Sequence, residues 1–335
     1  MKNILRFVLA GLILLPQVQV GVRAQQAAPP KQEPKPDEDL GDPIKVDVDV
    51  VNVYCSARNK QNNIVINLNK DDFDLAEDGQ KQTIKYFTRE TDIPLTIGLL
   101  IDVSGSQINL IEQERRAGGQ FFSSVLRKKD MAFLIQFGAD TELLQDLTGT
   151  PRLLQDGLRR LKPNTGVAGL HPGPVPTMSK QRGMVLYDAV YVASKDMLAH
   201  EVGRKALVLI TDGEDFGSTE SERTAIEAAQ KADAIVYGVL YADRQFYGSM
   251  NMGFSGAGVL KHMAEETGGH MFQVDRKTTL ESIFDQIQQE MRSQYLIGYT
   301  PTNGKRDGGY RKIDLKTHDK DLKIQVRKGY YAGRN

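Results

Sequence analysis

Two acids and two hydroxyls, each delivered by an apolar run, are the side chains in this chain best suited to chemistry. Asp102, Ser104 and Ser106 stand at alternate positions in Ile101-Asp-Val-Ser-Gly-Ser106, directly after the apolar stretch Leu95-Thr-Ile-Gly-Leu-Leu-Ile101. In a turn at the end of a buried strand, alternate positions can direct three oxygens at one point. Hard oxygen donors of this kind suit Mg²⁺, or Mn²⁺ or Ca²⁺. A second apolar run, Val208-Leu-Ile-Thr211, delivers Asp212, followed by Gly213, Glu214 and Asp215. Alone, Asp-x-Ser is also a common helix N-cap and Asp-Gly a common turn. Both together, in this order within one alternating strand–helix pattern, favour a shared metal site.

The elements that must position these residues follow from periodicity. From Ile44 a period-two pattern (Ile44, Val46, Val48, Val50, Val53) and then Ile64–Leu68 predict strands. Asp78-Gly79, between Phe73–Leu75 and Thr83–Phe87, predicts a hairpin. From Pro94 the character changes to continuous apolar runs, the mark of strands buried on both faces. Strands are expected at 95–101, 131–137, 206–211 and 234–240. Helices are expected on a face shared by Ile108, Ile111, Phe122, Val125 and Leu126, and near 151–161, 185–199, 219–232, 259–266 and 280–292. The alternation predicts a doubly wound, mainly parallel α/β sheet with its site at the C-terminal strand ends. Strands return at 294–299, 310–316 and 322–326. The two β-rich flanks, 44–93 and 292–335, are expected to pair into one small sandwich around an inserted domain spanning 94–291.

The first 24 residues read as a cleaved signal peptide. Lys2 and Arg6 precede the apolar run Phe7–Leu15, and Val22-Arg-Ala24 offers small residues for cleavage. The run is too short to span a bilayer, so no stable membrane span is expected after cleavage. Export to the periplasm or beyond follows. Residues 25–43, rich in Pro, Gln and charge, read as a flexible tether. The whole chain balances 43 basic against 43 acidic residues. Removing the signal takes away Lys2, Arg6 and Arg23 and no acid, leaving three net negative charges. That excludes binding driven by nucleic-acid phosphates.

The DVSGS motif after a hydrophobic strand, followed by LVLITDGED, resembles the von Willebrand factor type A domain and its metal-ion-dependent adhesion site. KDDFDLAEDGQKQTIKYF before it, and QYLIGYTP with VRKGYYA after it, are similar to a bacterial group of exported proteins related to that family. The resemblance implies a Rossmann-like fold and an adhesion module rather than an enzyme. It also implies that the hydroxyls of Ser104 and Ser106 bind the cation directly, with Asp102 and Asp212 acting directly or through water. The open coordination position would take a carboxylate from a protein partner. The sequence departs from the family at one point: Arg182-Gly-Met-Val-Leu-Tyr-Asp-Ala189 carries Met184 where the family supplies a threonine ligand. A thioether is a poor ligand for a hard cation. Thr177 and Ser179, in the Pro- and Gly-rich loop 162–183, are candidate substitutes.

Alternatives follow from the same residues. A vestigial site would leave recognition to loop 162–183 or to the sandwich. A Mg²⁺-dependent phosphohydrolase with Asp102 as nucleophile needs a second acid two residues on, where this chain has Ser104. Cys55 reads as a buried small hydrophobe, and the five histidines show no i, i+4 metal pairing. The glycines of 253–258 read as a loop, around which Tyr241, Phe246, Tyr247, Met250, Met252 and Phe254 would be packed or would form an interface. Glu214 and Asp215 read as supporting acids or a solvated turn. The partner's identity and the oligomeric state are not encoded in any motif.

Overall fold

The computed structural model describes residues 50–89, 93–163, 184–243 and 256–333, all within one compact unit, Val48–Asn335. The expected signal peptide and tether, residues 44–49 and most of loop 162–183 lie outside these segments. The chain enters through β1 (Val51–Arg58), β2 (Ile64–Val65), β3 (Phe73–Glu77), β4 (Gln80–Lys81) and β5 (Ile84–Thr88). In β1 the inward residues are Val51, Val53, Cys55 and Ala57, whereas Val50 is 39% exposed. Val53 is inward as expected, but Val50 is not, because the inward set in the described strand is odd-numbered throughout. Adjacent valines at 50 and 51 satisfy either register by sequence, and a one-residue slip exchanges the two faces of a strand.

The Asp78-Gly79 turn forms, with φ of 48° and 81°, as a primed two-residue hairpin requires. It pairs β3 with the two residues of β4 only. The expected second arm, β5, leaves for another sheet and pairs with a later strand. Gln82 makes that corner: its backbone N–H donates to the Leu75 carbonyl and its buried side chain exchanges hydrogen bonds with Thr302.

The continuous apolar runs become the centre of a six-stranded sheet. Its members are β6 (Leu95–Asp102), β7 (Met131–Phe137), β8 (Thr141–Thr148), β9 (Arg204–Thr211), β10 (Ala234–Leu240) and β11 (Met271–Gln273), in the order β11-β10-β9-β6-β7-β8. Every residue of β6, β9 and β10 is buried. Each fully buried Leu, Ile or Val contributes about 1.5–3 kcal/mol relative to exposure, so these runs dictate the middle of the sheet. Only β8 is antiparallel. Counted within the sheet the order is 3-2-1-4-5-6, the doubly wound pattern whose direction switches between β6 and β9.

Helices cover both faces. On one side α1 (Ile111–Val125), α2 (Pro151–Arg159) and α6 (Leu280–Arg292) share a core with Leu95, Ile97, Leu99 and Ile101 of β6. On the other, α3 (Leu186–Val192, continued by a π-helical stretch to Leu198), α4 (Glu222–Lys231) and α5 (Ala257–Thr267) pack on Leu100, Leu207 and Leu209. Gly98 faces this second core, where a Cβ would lie 2.3 Å from the Phe133 ring. Helix α1 starts at Ile111, so Ile108 does not join the helix face expected for it and is 47% exposed.

After α6 the chain returns to strands: β12 (Tyr295–Tyr299), β13 (Tyr310–Thr317), β14 (Lys323–Val326) and β15 (Gly329–Tyr331). They interleave with the entry strands in two sheets, β14-β1-β12-β5 with β2 beside β1, and β15-β13-β3-β4. Phe73, Leu75, Ile313 and Leu315 of one share a core with Val53, Cys55, Ile297 and Tyr299 of the other. The fold is thus α/β with a small β-sandwich built from both ends of the described chain.

Buried ionic contacts bind sandwich to sheet. The Arg58 guanidinium on β1 donates to Glu290 of α6, whose carboxylate also accepts from Ser56 Oγ at 3.3 Å. Two residues further along α6, Arg292 donates to Asp130, which precedes β7, and so ties the helix to its own sheet. Removing one partner of a fully buried pair strands the other charge. We therefore expect Glu290→Ala to lower stability by about 3–5 kcal/mol in urea unfolding, with the Arg58→Met, Glu290→Met double variant recovering much of that loss. An additive double variant would show that the pair does not couple.

Candidate metal centre

The register places the four expected ligands. Ile101 lies opposite Ile210 across the parallel β6–β9 pair, so Asp102 and Thr211 end adjacent strands side by side, at the switch point. Asp102 and Asp212 are both fully buried. Ser104 follows in a turn, Gly105–Gln107, that brings the hydroxyls of Ser104 and Ser106 to 3.0 Å from each other. Ser106 Oγ donates to Asp212 Oδ2 at 2.5 Å. The backbone N–H of Ser104 donates to Asp102 Oδ1 at 2.9 Å, and Thr211 Oγ1 donates to Asp102 Oδ2 at 2.6 Å. Ser104, Ser106 and Asp212 are thus joined in one hydrogen-bonded chain, and Asp102 is held next to it by the Ser104 N–H and the Thr211 hydroxyl.

The electrostatics fit a cation. Burial, followed by the charge of Asp212, pushes the Asp102 carboxyl up to about 7, against the smaller opposing effects of the Thr211 and Ser104 hydrogen bonds. A site that holds two carboxylates away from water favours whatever neutralises them, whether proton or metal ion. Two carboxylates with two hydroxyls form a hard-oxygen set appropriate to Mg²⁺-type ions. Among the described residues, no group of three or more His, Cys, Asp and Glu side chains is placed to hold a metal.

Met184 is 5% exposed and joins the core under α3. Its sulfur is 3.9 Å from Thr211 Oγ1. Its carbonyl accepts from the N–H groups of Phe216 and Gly217, which ties the segment before α3 to the loop after Asp212. The expected substitutes Thr177 and Ser179 lie outside the described residues, as do Phe246, Tyr247, Met250, Met252 and Phe254. Tyr241 is buried and donates to Gln113 Oε1 at 2.5 Å, so it packs rather than presenting itself to a partner. Glu214 accepts from the Gly256 N–H, and Asp215 accepts from Ser218 Oγ and from backbone N–H groups. Both acids brace loops. Cys55 is buried, and burial raises its thiol far above the usual range.

Two residues near the centre escaped the sequence reading. Thr211 was visible only as the last residue of an apolar run, yet it supplies the hydroxyl that holds Asp102. Glu114 is fully buried on α1 with neither carboxylate oxygen partnered among the described residues. Burial and the Asp102 charge hold its carboxyl well above the ordinary range. A signal existed: Glu114 falls three residues from Ile111 and Ala117, on the stripe that should be apolar.

No family's sequence model matches this chain, and no curated protein matches it. Solved structures similar to it include an aerotolerance-related membrane protein from Bacteroides fragilis, at 18% identity and a TM-score of 0.43, covering 59% of this chain and 98% of that one. Another is the von Willebrand domain of a type V pilus tip protein from Porphyromonas gingivalis, at 13% identity and a TM-score of 0.42, covering 59% and 95%. A third is a proximal thread matrix protein of the mussel byssus, described with zinc in its adhesion-site motif, at 11% identity and a TM-score of 0.46, covering 64% and 49%. The six-stranded sheet with helices on both faces is, on its own topology, a doubly wound α/β layer.

The raised Asp102 carboxyl has a defined pH signature. In the unfolded chain it titrates near 3.8 and in the fold near 7, so between these values the folded state binds more protons. Stability therefore falls as pH rises from about 4 to about 7 and then levels, by on the order of 4 kcal/mol. In chelator, Asp102→Asn should be more stable than the wild type at pH 7–8 and equal to it near pH 4, in denaturant titrations across that range. Parallel curves for the two proteins would remove Asp102 as the source.

Proposed function

We propose that this chain is an exported, non-enzymatic protein-binding module of the adhesion type, in which Asp102, Ser104, Ser106 and Asp212 hold a Mg²⁺-type ion. The cation would supply an unfilled coordination position for a partner carboxylate. In this reading residues 1–24 direct export, 25–43 tether the module, and the 94–291 domain is carried on the flanking sandwich. Among the described residues no helix is long and apolar enough to cross a membrane. The observation that carries the reading is the convergence of Ser104, Ser106 and Asp212 oxygens beside buried Asp102 at the switch of the sheet. The role of the protein's own residues is to hold that set: Thr211 orients Asp102, and the Met184 carbonyl fixes the loop after Asp212.

Met184 favours a second reading, in which the site has lost its cation and binding passes to other surfaces. Calorimetry separates the two. Mg²⁺ or Mn²⁺ should bind the wild type with one-to-one stoichiometry and raise its melting temperature, and Asp102→Ala should abolish both effects. An absence of binding to the wild type would favour the vestigial site. Met184→Thr returns a hydroxyl to the rim and should tighten Mg²⁺ binding by ~10-fold or more; unchanged affinity would mean that water or another oxygen already fills that place.

A further inference from the structure

We propose that the cavity between helices α4 and α5 and the sandwich binds a sugar acid, a ligand with several hydroxyls and one carboxylate. The inference is independent of the metal centre. The cavity measures about 890 Å³, a size typical of small-molecule sites, which gather where separate layers or domains meet. Its walls come from α4 and α5 on one side and, on the other, from β13, β15 and Lys328, the residue before β15. The Glu266 carbonyl of α5 joins them: it accepts from Gln230 Nε2 of α4 at 2.9 Å and from the Lys328 N–H at 3.1 Å. The walls are thus tied together before a ligand arrives, which lowers the cost of ordering them on binding.

The charged side chains that line the cavity differ in how they are paired. Glu222 Oε1 is 2.7 Å from His262 Nδ1, and Glu266 Oε1 is 3.8 Å from His262 Nε2. Asp314 pairs with Lys316 at 2.5 Å. Arg223, Lys312 and Lys328 are exposed, and among the described residues their side chains have no hydrogen bond or ion pair. A carboxylate with one partner can still accept a ligand hydroxyl, because each of its oxygens carries two lone pairs. A guanidinium or ammonium can only donate, and it does so most strongly to an anion. One anionic group among several hydroxyls satisfies both kinds of side chain. A polyanion would meet three carboxylates, and a cation would meet three unpaired positive charges, so both are disfavoured.

A sugar ring also needs an apolar surface for its C–H face, and Tyr310 in the same cavity supplies one. Tyr310 is 39% exposed. Its ring occupies the space that a side chain on Gly329 would fill: an added Cβ there would lie 2.3 Å from the ring carbon Cζ. Tyr331 meets it in an edge-to-face contact, with ring centres 5.3 Å apart and planes at 63°. The ring is therefore held in place, and stacking on it loses little side-chain freedom. Within the VRKGYYA stretch, Lys328, Gly329 and Tyr331 thus supply a cation, the gap for the ring and the ring that supports it.

The test is binding of the full-length chain to an array of glycans that carry a single uronate, each beside its neutral parent, in chelator so that no divalent ion takes part. The uronates should be retained about tenfold better than their neutral parents. The double variant Lys312→Gln, Lys328→Gln should lose that preference with its melting temperature unchanged, and Tyr310→Ser should weaken retention of acidic and neutral glycans alike. No retention of any uronate, equal retention of the neutral parents, or undiminished preference in the lysine variant would each overturn the inference. Displacement of the bound glycans by inorganic phosphate or by an acidic peptide at equal concentration would overturn it too, by making the cavity a site for any anion. Metal binding is read in its own titration, so either reading can fail without the other.

Discussion

Two carboxylates taken out of water at the ends of neighbouring strands are the constraint around which this molecule is arranged. Asp102 and Asp212 are fully buried, and like charges that close repel while each loses its hydration. The fold tolerates them because the strands behind are buried on both faces and fix the backbone in one register. The local hydrogen bonds from Thr211, Ser104 and Ser106 then distribute the charge without cancelling it. In the proposed reading a bound cation would offset that cost. That is a statement about the sheet as much as about the site: the central strands must be apolar enough to offset their own polar ends.

Much of this was legible in the sequence, for physical reasons that differ from element to element. The continuous runs of β6, β9 and β10 had no alternative to a central position, and the acids at their ends followed. Strand β8 was missed because Thr141–Thr148 is an edge strand with mixed exposure and no clean alternation. Strands β11 and β15 are three residues each, too short to carry a period. The departure of β5 from its expected hairpin partner depends on Gln82 and Thr302, which are far apart in the chain and meet only in the fold. Near the site, Asp102, Ser104, Ser106 and Asp212 could be named because strand ends and a turn define their spacing. The hydroxyl of Thr211 could not be assigned without knowing which strand lies beside β6.

Glu114 and Met184 illustrate the opposite limit, where a residue breaks the local pattern and the sequence cannot say why. An acid on the apolar stripe of α1 and a thioether beside the rim both read as inconsistencies with their elements. Such inconsistencies collect where a fold serves something other than its own stability. Here both lie within the neighbourhood of Asp102, whose charge adds to burial in keeping the Glu114 carboxyl protonated, while Met184 lies next to Thr211. In the sandwich, by contrast, the buried Glu77 carboxylate is matched: it receives hydroxyls from Tyr299 and Tyr330.

The pairing of β1 with β12 has a consequence for how the molecule comes to exist. Val51 meets Tyr299 and Cys55 meets Tyr295, so the first described strand waits for a partner made only after the entire six-stranded sheet has been synthesised. Such non-local contacts are slow to form, because a long loop must close before they are rewarded. Until then β1 leaves the ribosome as an unpaired edge with its Val51, Val53 and Cys55 face uncovered, a surface open to wrong strand partners. The six-stranded sheet and its helices, which lie between β1 and β12 in the sequence, bring the two ends of that loop together. The sandwich core therefore depends on contacts between the two ends of the described chain, which no part of either flank can make alone.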